Sequence, residues 1–234
     1  MKFKSIAALL FGCLISWSSW AQQQEFEGDY VFNGVKGTAK FNFLEGKEGE
    51  IIKDGPFRFR RNVADSLDKT RFYKTTITGA YRENLKAGDW FYRDLRHQVT
   101  IKDIEEFTVD TELSSEEIRL RAAYEKGLPS GKWNFVRNTY KDGKLSPKAS
   151  VEELNFTKGM IEGSFQYKEF AGRRTYFVRG GLLPGGIMNG EWTFVYAVDD
   201  VLISEVRNYD KGFLLGLVKR NLETDEVVYE QVFF

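Results

Sequence analysis

The chain has 234 residues, with 34 Lys and Arg balanced by 34 Asp and Glu, one His, one Cys, 22 Gly, 4 Pro and an aromatic content of 15%. A single histidine, His97, excludes a His-rich zinc site, and any Ser-His-Asp triad would have to run through it. The balanced charge argues against a nucleic-acid binder, which normally carries a net basic face.

The first residues, MKFKSIAALLFGCLISWSSWAQQQ, place Lys2 and Lys4 before an apolar run and end it in Ser19-Trp20-Ala21. That order predicts a secretory signal peptide over residues 1–21, cleaved before Gln22. Its apolar core is too short for a permanent membrane helix. A lipobox reading through Cys13 fits less well, because Phe11 stands where a small or branched residue is usual. The expected product is exported, periplasmic or secreted, two charges more acidic than its precursor and free of cysteine. Residues 22–234 read as one continuous domain.

From there the chain repeats itself. Tyr81 to Tyr92 contains Asn84, Gly88, Trp90 and Tyr92, and Tyr124 to Phe135 contains Gly127, Gly131, Trp133 and Phe135. Phe156 to Tyr167 contains Gly159, Gly163, Phe165 and Tyr167, and Leu183 to Phe194 contains Gly186, Gly190, Trp192 and Phe194. A last copy has Gly212 and Gly216 with Val218 in the aromatic slot, and a weaker early one keeps Gly55, Phe57 and Phe59. The shared pattern is G/N-x-x-x-G-x-W/F-x-F/Y. Glycine and asparagine adopt positive φ cheaply and mark hairpin connections, while aromatics two apart leave one face of a strand. The unit is therefore strand, glycine turn, strand.

Between the copies, Asn62–Lys69 reads as a polar loop, and the long gap before Gly131 as extra strand or extended connection. Ser114 before two acids is a helix-start signal, but the repeat frame demands strand from Ile118 and is preferred. Gly180 to Gly186 reads as a wide loop.

The quoted copies resemble MORN-type repeats in their divergent bacterial form. That resemblance implies an all-β fold, an antiparallel sheet of consecutive β-hairpins, elongated or rolled. Proteins with such repeats are often predicted in bacterial envelopes, and the leader, the repeats and the lack of a catalytic motif together set the expectation of a non-enzymatic interaction or scaffolding surface there, without a cofactor. A related cytoplasmic group is regarded as antitoxins, so a protein that binds and caps a partner, as an immunity protein does, is the alternative.

The stripe of Phe57, Trp90, Trp133, Phe165 and Trp192, with Phe59, Tyr92, Phe135, Tyr167 and Phe194, must meet something apolar, and self-burial is the expectation. Paired acids such as Glu116-Glu117 and Glu152-Glu153 read as solvated, since neighbours on a strand face opposite ways. Arg58-Phe-Arg60-Arg61, Arg119-Leu-Arg121 and Arg173-Arg174 read as an arginine-bearing outer face, with an anionic membrane surface as the weaker reading. No metal or cofactor site is expected; an unidentified protein partner and self-association through open sheet edges are.

Overall fold

A computed structural model describes residues 23–105, 108–171 and 174–233. The leader with Cys13, Glu106 and Arg173 lie outside the described residues. The chain forms fourteen strands: β1 (Gln24–Phe32), β2 (Val35–Glu45), β3 (Ile51–Ala64), β4 (Arg71–Arg82), β5 (Leu85–Glu105), β6 (Thr108–Glu125), β7 (Leu128–Lys141), β8 (Lys144–Thr157), β9 (Met160–Ala171), β10 (Arg174–Leu183), β11 (Ile187–Val198), β12 (Val201–Asp210), β13 (Phe213–Asn221) and β14 (Val227–Val232). They make one antiparallel sheet in strict chain order, open at β1 and β14.

The turn chemistry explains the hairpins. Lys126-Gly127, Lys158-Gly159, Gly185-Gly186 and Lys211-Gly212 all have two consecutive positive φ angles, the two-residue turn that matches strand twist. Glu83-Asn84 does the same with no glycine. There the Asn84 amide N–H donates to the Lys53 carbonyl at 2.9 Å while its Oδ1 accepts from the Lys53 N–H at 2.8 Å. A side chain that completes a backbone-like bridge accounts for asparagine in that slot.

The second glycine of each copy is not in the turn. In β4–β5, Thr78 pairs with Phe91 and Ala80 with Ala87, so Gly79 alone faces Gly88-Asp89-Trp90. The same three-against-one bulge sets Ala122 against Gly131 to Trp133, Leu154 against Gly163 to Phe165, and Gly180 against Gly190 to Trp192. Gly88, Gly131, Gly163 and Gly190 all hold positive φ there, whereas Gly216 does not. At Gly79 and Gly180 the bulge swings the following tryptophan, Trp90 or Trp192, back over the lone glycine opposite. The Trp90 Nε1 then donates to the Ala80 carbonyl, Trp133 to Ala123 and Trp192 to Gly181, at 3.0–3.2 Å.

Two further sequence expectations change. Gly180 and Gly181 lie inside β10, because Trp192 packs where a Cβ on Gly180 would be; only Gly185-Gly186 is turn. The loop after β3 starts at Asp65, since Asn62, Val63 and Ala64 still pair with β4. Ser114–Glu117 is strand, as preferred over a helix start, and the long gap is extra strand, the β5–β6 hairpin, the longest in the sheet.

The sheet is coiled over its first strands. The rings of Phe32 in β1 and Trp90 in β5 lie 6.4 Å apart. Four interstrand steps of about 4.8 Å would separate them by about 19 Å in a flat sheet. Phe32, Phe41, Phe57, Phe59, Ile77 and Trp90 form the buried centre, flanked by Tyr81, Tyr92, Tyr124 and Trp133. Beyond β8 the layer thins to Trp192, Val178 and Ile203.

Candidate interaction surface

The aromatic stripe divides along the array. Phe57, Phe59, Trp90 and Trp192 are buried, while Tyr92, Trp133, Phe135, Phe165, Tyr167 and Phe194 are half-buried. Long cations cover part of the remainder. The Lys86 ammonium sits 4.7–5.5 Å from the rings of Trp90, Tyr124, Phe32 and Tyr92 and donates to the Tyr92 hydroxyl at 2.9 Å. Lys53 lies likewise over Tyr30, Phe41 and Tyr81, and the Arg207 guanidinium is 4.5 Å from the Phe194 ring centroid. The flat faces of aromatic rings attract cations, and the alkyl stems shield carbon from water. Burial pushes the Lys86 ammonium below the usual lysine range, the Tyr81 phenol up to about 12, and Tyr92 higher still.

The acids are not uniformly solvated, contrary to the sequence expectation. Glu117 is only 3% exposed and Glu205 2%. Glu117 accepts from Arg93 Nε at 2.6 Å and from the Tyr140 hydroxyl at 2.8 Å, with Arg119 Nε at 3.5 Å. Glu205 repeats the set with Arg207 Nε and the Tyr196 hydroxyl, both at 2.5 Å, and Lys219 at 3.4 Å. Burial raises each carboxyl, but the tyrosine and arginine hydrogen bonds outweigh it and hold both below the ordinary carboxylate range. The signal was present as Glu117-Ile-Arg119 and Glu205-Val-Arg207, an acid and an arginine two apart on one strand face; what hid it was that the tyrosine comes from another strand. These are cross-strand clasps, with each acid surrounded by cations and a phenol rather than by a second carboxyl.

His97 is half-buried, outside every repeat copy, with Nδ1 2.7 Å from the Ser115 hydroxyl oxygen. No group of three or more His, Cys, Asp or Glu able to hold a metal ion occurs among the described residues. No helix among them is long and apolar enough to cross a membrane.

Two surface features escaped the sequence reading. The residue after every second turn, from β4–β5 to β12–β13, is apolar and exposed: Leu85, Leu128, Met160, Ile187 and Phe213, from 45% to 71% accessible. Alternation of turns puts all five at one edge of the array. Neighbouring hairpins lean on them: a Cβ on Gly127 would meet Leu85 at 3.1 Å, and one on Gly212 would meet Ile187 at 3.2 Å. The second feature is an open groove of about 1230 Å³ across β1 to β5, on the face opposite Trp90. Its lining includes Lys36, Arg58, Arg60, Lys74 and Arg93.

No protein-family model, curated protein or solved structure matches this chain.

Proposed function

We propose that this chain is an exported, non-enzymatic repeat protein of the divergent MORN-like kind that presents an interaction or scaffolding surface in the cell envelope. The observation that carries the reading is the ladder of Leu85, Leu128, Met160, Ile187 and Phe213, exposed at equivalent positions of five alternate hairpins. At about 9.6 Å per hairpin the ladder runs for roughly 40 Å. An exposed apolar line of that length with polar neighbours is the mark of a protein contact. The periodic placement gives a partner several equivalent anchor points, as extended repeat surfaces do. The leader-like N-terminus and the repeat copies support the cellular setting and the kinship.

The test is a photo-crosslinking amino acid at Met160 or Ile187 in cells expressing the full chain, with Lys144 at the opposite edge as control. A discrete adduct from the first two positions and none from Lys144 is expected. Only uncrosslinked monomer from all three positions would refute the surface. Sequencing of the protein from the envelope fraction should begin at Gln22, and recovery of Met1 would refute export by a cleaved leader.

A further inference from the structure

The groove on the back of the aromatic core is a concentration of charge in a chain that is balanced overall. Lys36, Arg58, Arg60, Arg61, Lys74 and Arg93 line it, and Asp29 is its one acid. Elsewhere on the sheet basic side chains find acids: Lys40 pairs with Glu25 and Glu27, Arg137 with Glu116, Lys102 and Lys141 with Glu112, and Lys168 with Glu152. Among the described residues, Lys36, Arg58, Arg60 and Lys74 make no ion pair and Arg61 only stacks on Tyr73. Arg93 is held at Nε by the buried Glu117, which fixes its guanidinium at the groove wall.

The sheet register sets how these cations are spaced. Arg60 pairs with Thr76 and Thr76 with Arg93; Asn62 pairs with Lys74; Lys36 lies on β2. Neighbours across strands are about 4.8 Å apart and same-face neighbours along a strand about 6.7 Å. On that lattice Arg58 and Arg60 are about 6.7 Å apart, Arg60 lies diagonal to Lys36 and Lys74 at about 8 Å and two strand steps, about 10 Å, from Arg93, distances at or within the Debye length of about 8–10 Å, so the cations repel one another and their potentials add. Thr38 and Thr76 contribute hydroxyls to the same lining. Guanidinium forks and hydroxyls bind tetrahedral oxyanions through paired hydrogen bonds, and several at these spacings suit a ligand with more than one anionic group.

We infer that this groove is a binding site for a multivalent oxyanion, a soluble molecule carrying neighbouring phosphate or sulfate groups. The cations line the walls of a groove, so a chain lying in it meets more of them than a planar array of lipid headgroups does. The site lies on the sheet face, away from the apolar turn ladder, and stands or falls apart from it.

Isothermal titration of the full chain with tripolyphosphate and with dextran sulfate tests the inference, alongside flotation with vesicles containing phosphatidylglycerol. Saturable binding of at least one soluble probe is expected, weakening with salt. Arg60→Gln combined with Lys74→Gln should weaken it at least tenfold, while Lys132→Gln combined with Arg220→Gln, on distant strands, should change it less than twofold. Arg60 and Lys74 are exposed, and unchanged circular dichroism and melting of that double variant will show that the fold is intact. The inference is overturned if neither soluble probe binds, if only vesicles bind, or if the distant pair weakens binding as much as the groove pair.

Discussion

Gly79→Ala adds one methyl group at a position where ordinary reasoning favours it. Gly79 has no left-handed φ, and a glycine replaced by alanine in a compatible conformation stabilises by about 0.4–1 kcal/mol through the unfolded chain. Here the new Cβ would lie 2.3 Å from Trp90 Cδ2 and 2.4 Å from Cε2. The ring has little room to retreat: Trp90 is 1% exposed, stacks within 5.6 Å of Phe57 and 6.0 Å of Tyr92, and donates from Nε1 to the Ala80 carbonyl. Forced overpacking costs about 1–3 kcal/mol and the strained indole hydrogen bond about 1 kcal/mol more. Net of the unfolded-state gain, the variant should be about 2–3 kcal/mol less stable, a Tm loss of roughly 5–10 °C for a chain of this size. Urea unfolding followed by tryptophan fluorescence, together with calorimetry, measures it. Gly180→Ala should behave alike, since its Cβ would meet Trp192 at 2.1 Å. The equivalent residue in β6 is already Ala122, and there Trp133 stays half-buried. A Gly79→Ala protein as stable as the parent, or more so, would refute the ring-over-glycine account.

Trp133→Ala should destabilise by about 3 kcal/mol, near the low end for a large ring because Trp133 is half-buried, and a chemical denaturation curve reads it directly. Gly127→Ala places a Cβ at φ +80°, and equilibrium unfolding should show a loss of about 1–2 kcal/mol, with a neutral result refuting the turn assignment. Glu117 and Glu205 have depressed carboxyl pKa values, so their contribution is present above the ordinary glutamate value of 4.5 and is lost as the pH falls through the folded-state value. Acid unfolding of Glu117→Gln should therefore start from lower stability at neutral pH and fall less steeply below pH 4.5; a parallel curve would refute the clasp. Ultraviolet titration of tyrosine should show Tyr81 ionising only near pH 12, and its disappearance from that late phase in Tyr81→Phe assigns it.

Much of the hairpin architecture was readable from residue order because its causes are local. Asn or Gly at a turn and aromatics two apart each act within a few residues, so the copies from Tyr81 to Phe194 revealed both fold class and strand succession. The second glycines show where local reading stopped: Gly88 and Gly190 looked like turn residues, yet their left-handed φ serves a bulge whose purpose depends on Gly79 and Gly180 in the preceding strand. The same reason hid Glu117. An acid beside another acid looks solvated until Tyr140 and Arg93 arrive from the strands on either side.

The amino-acid sequence by itself determined that this is an all-β chain of consecutive hairpins, since glycine spacing and period-two alternation are properties of short segments. Only the tertiary structure decided which aromatics are buried, because coiling brings Phe32 against Trp90 across four strand steps. It alone decided the surface as well. Leu85 and Phe213 align only when every second turn falls on one edge, and Lys36, Arg60 and Lys74 become neighbours only when three strands register side by side. Charge balance is a sum over the chain, whereas a groove's potential depends on distance, and distance across a sheet is not written in residue order.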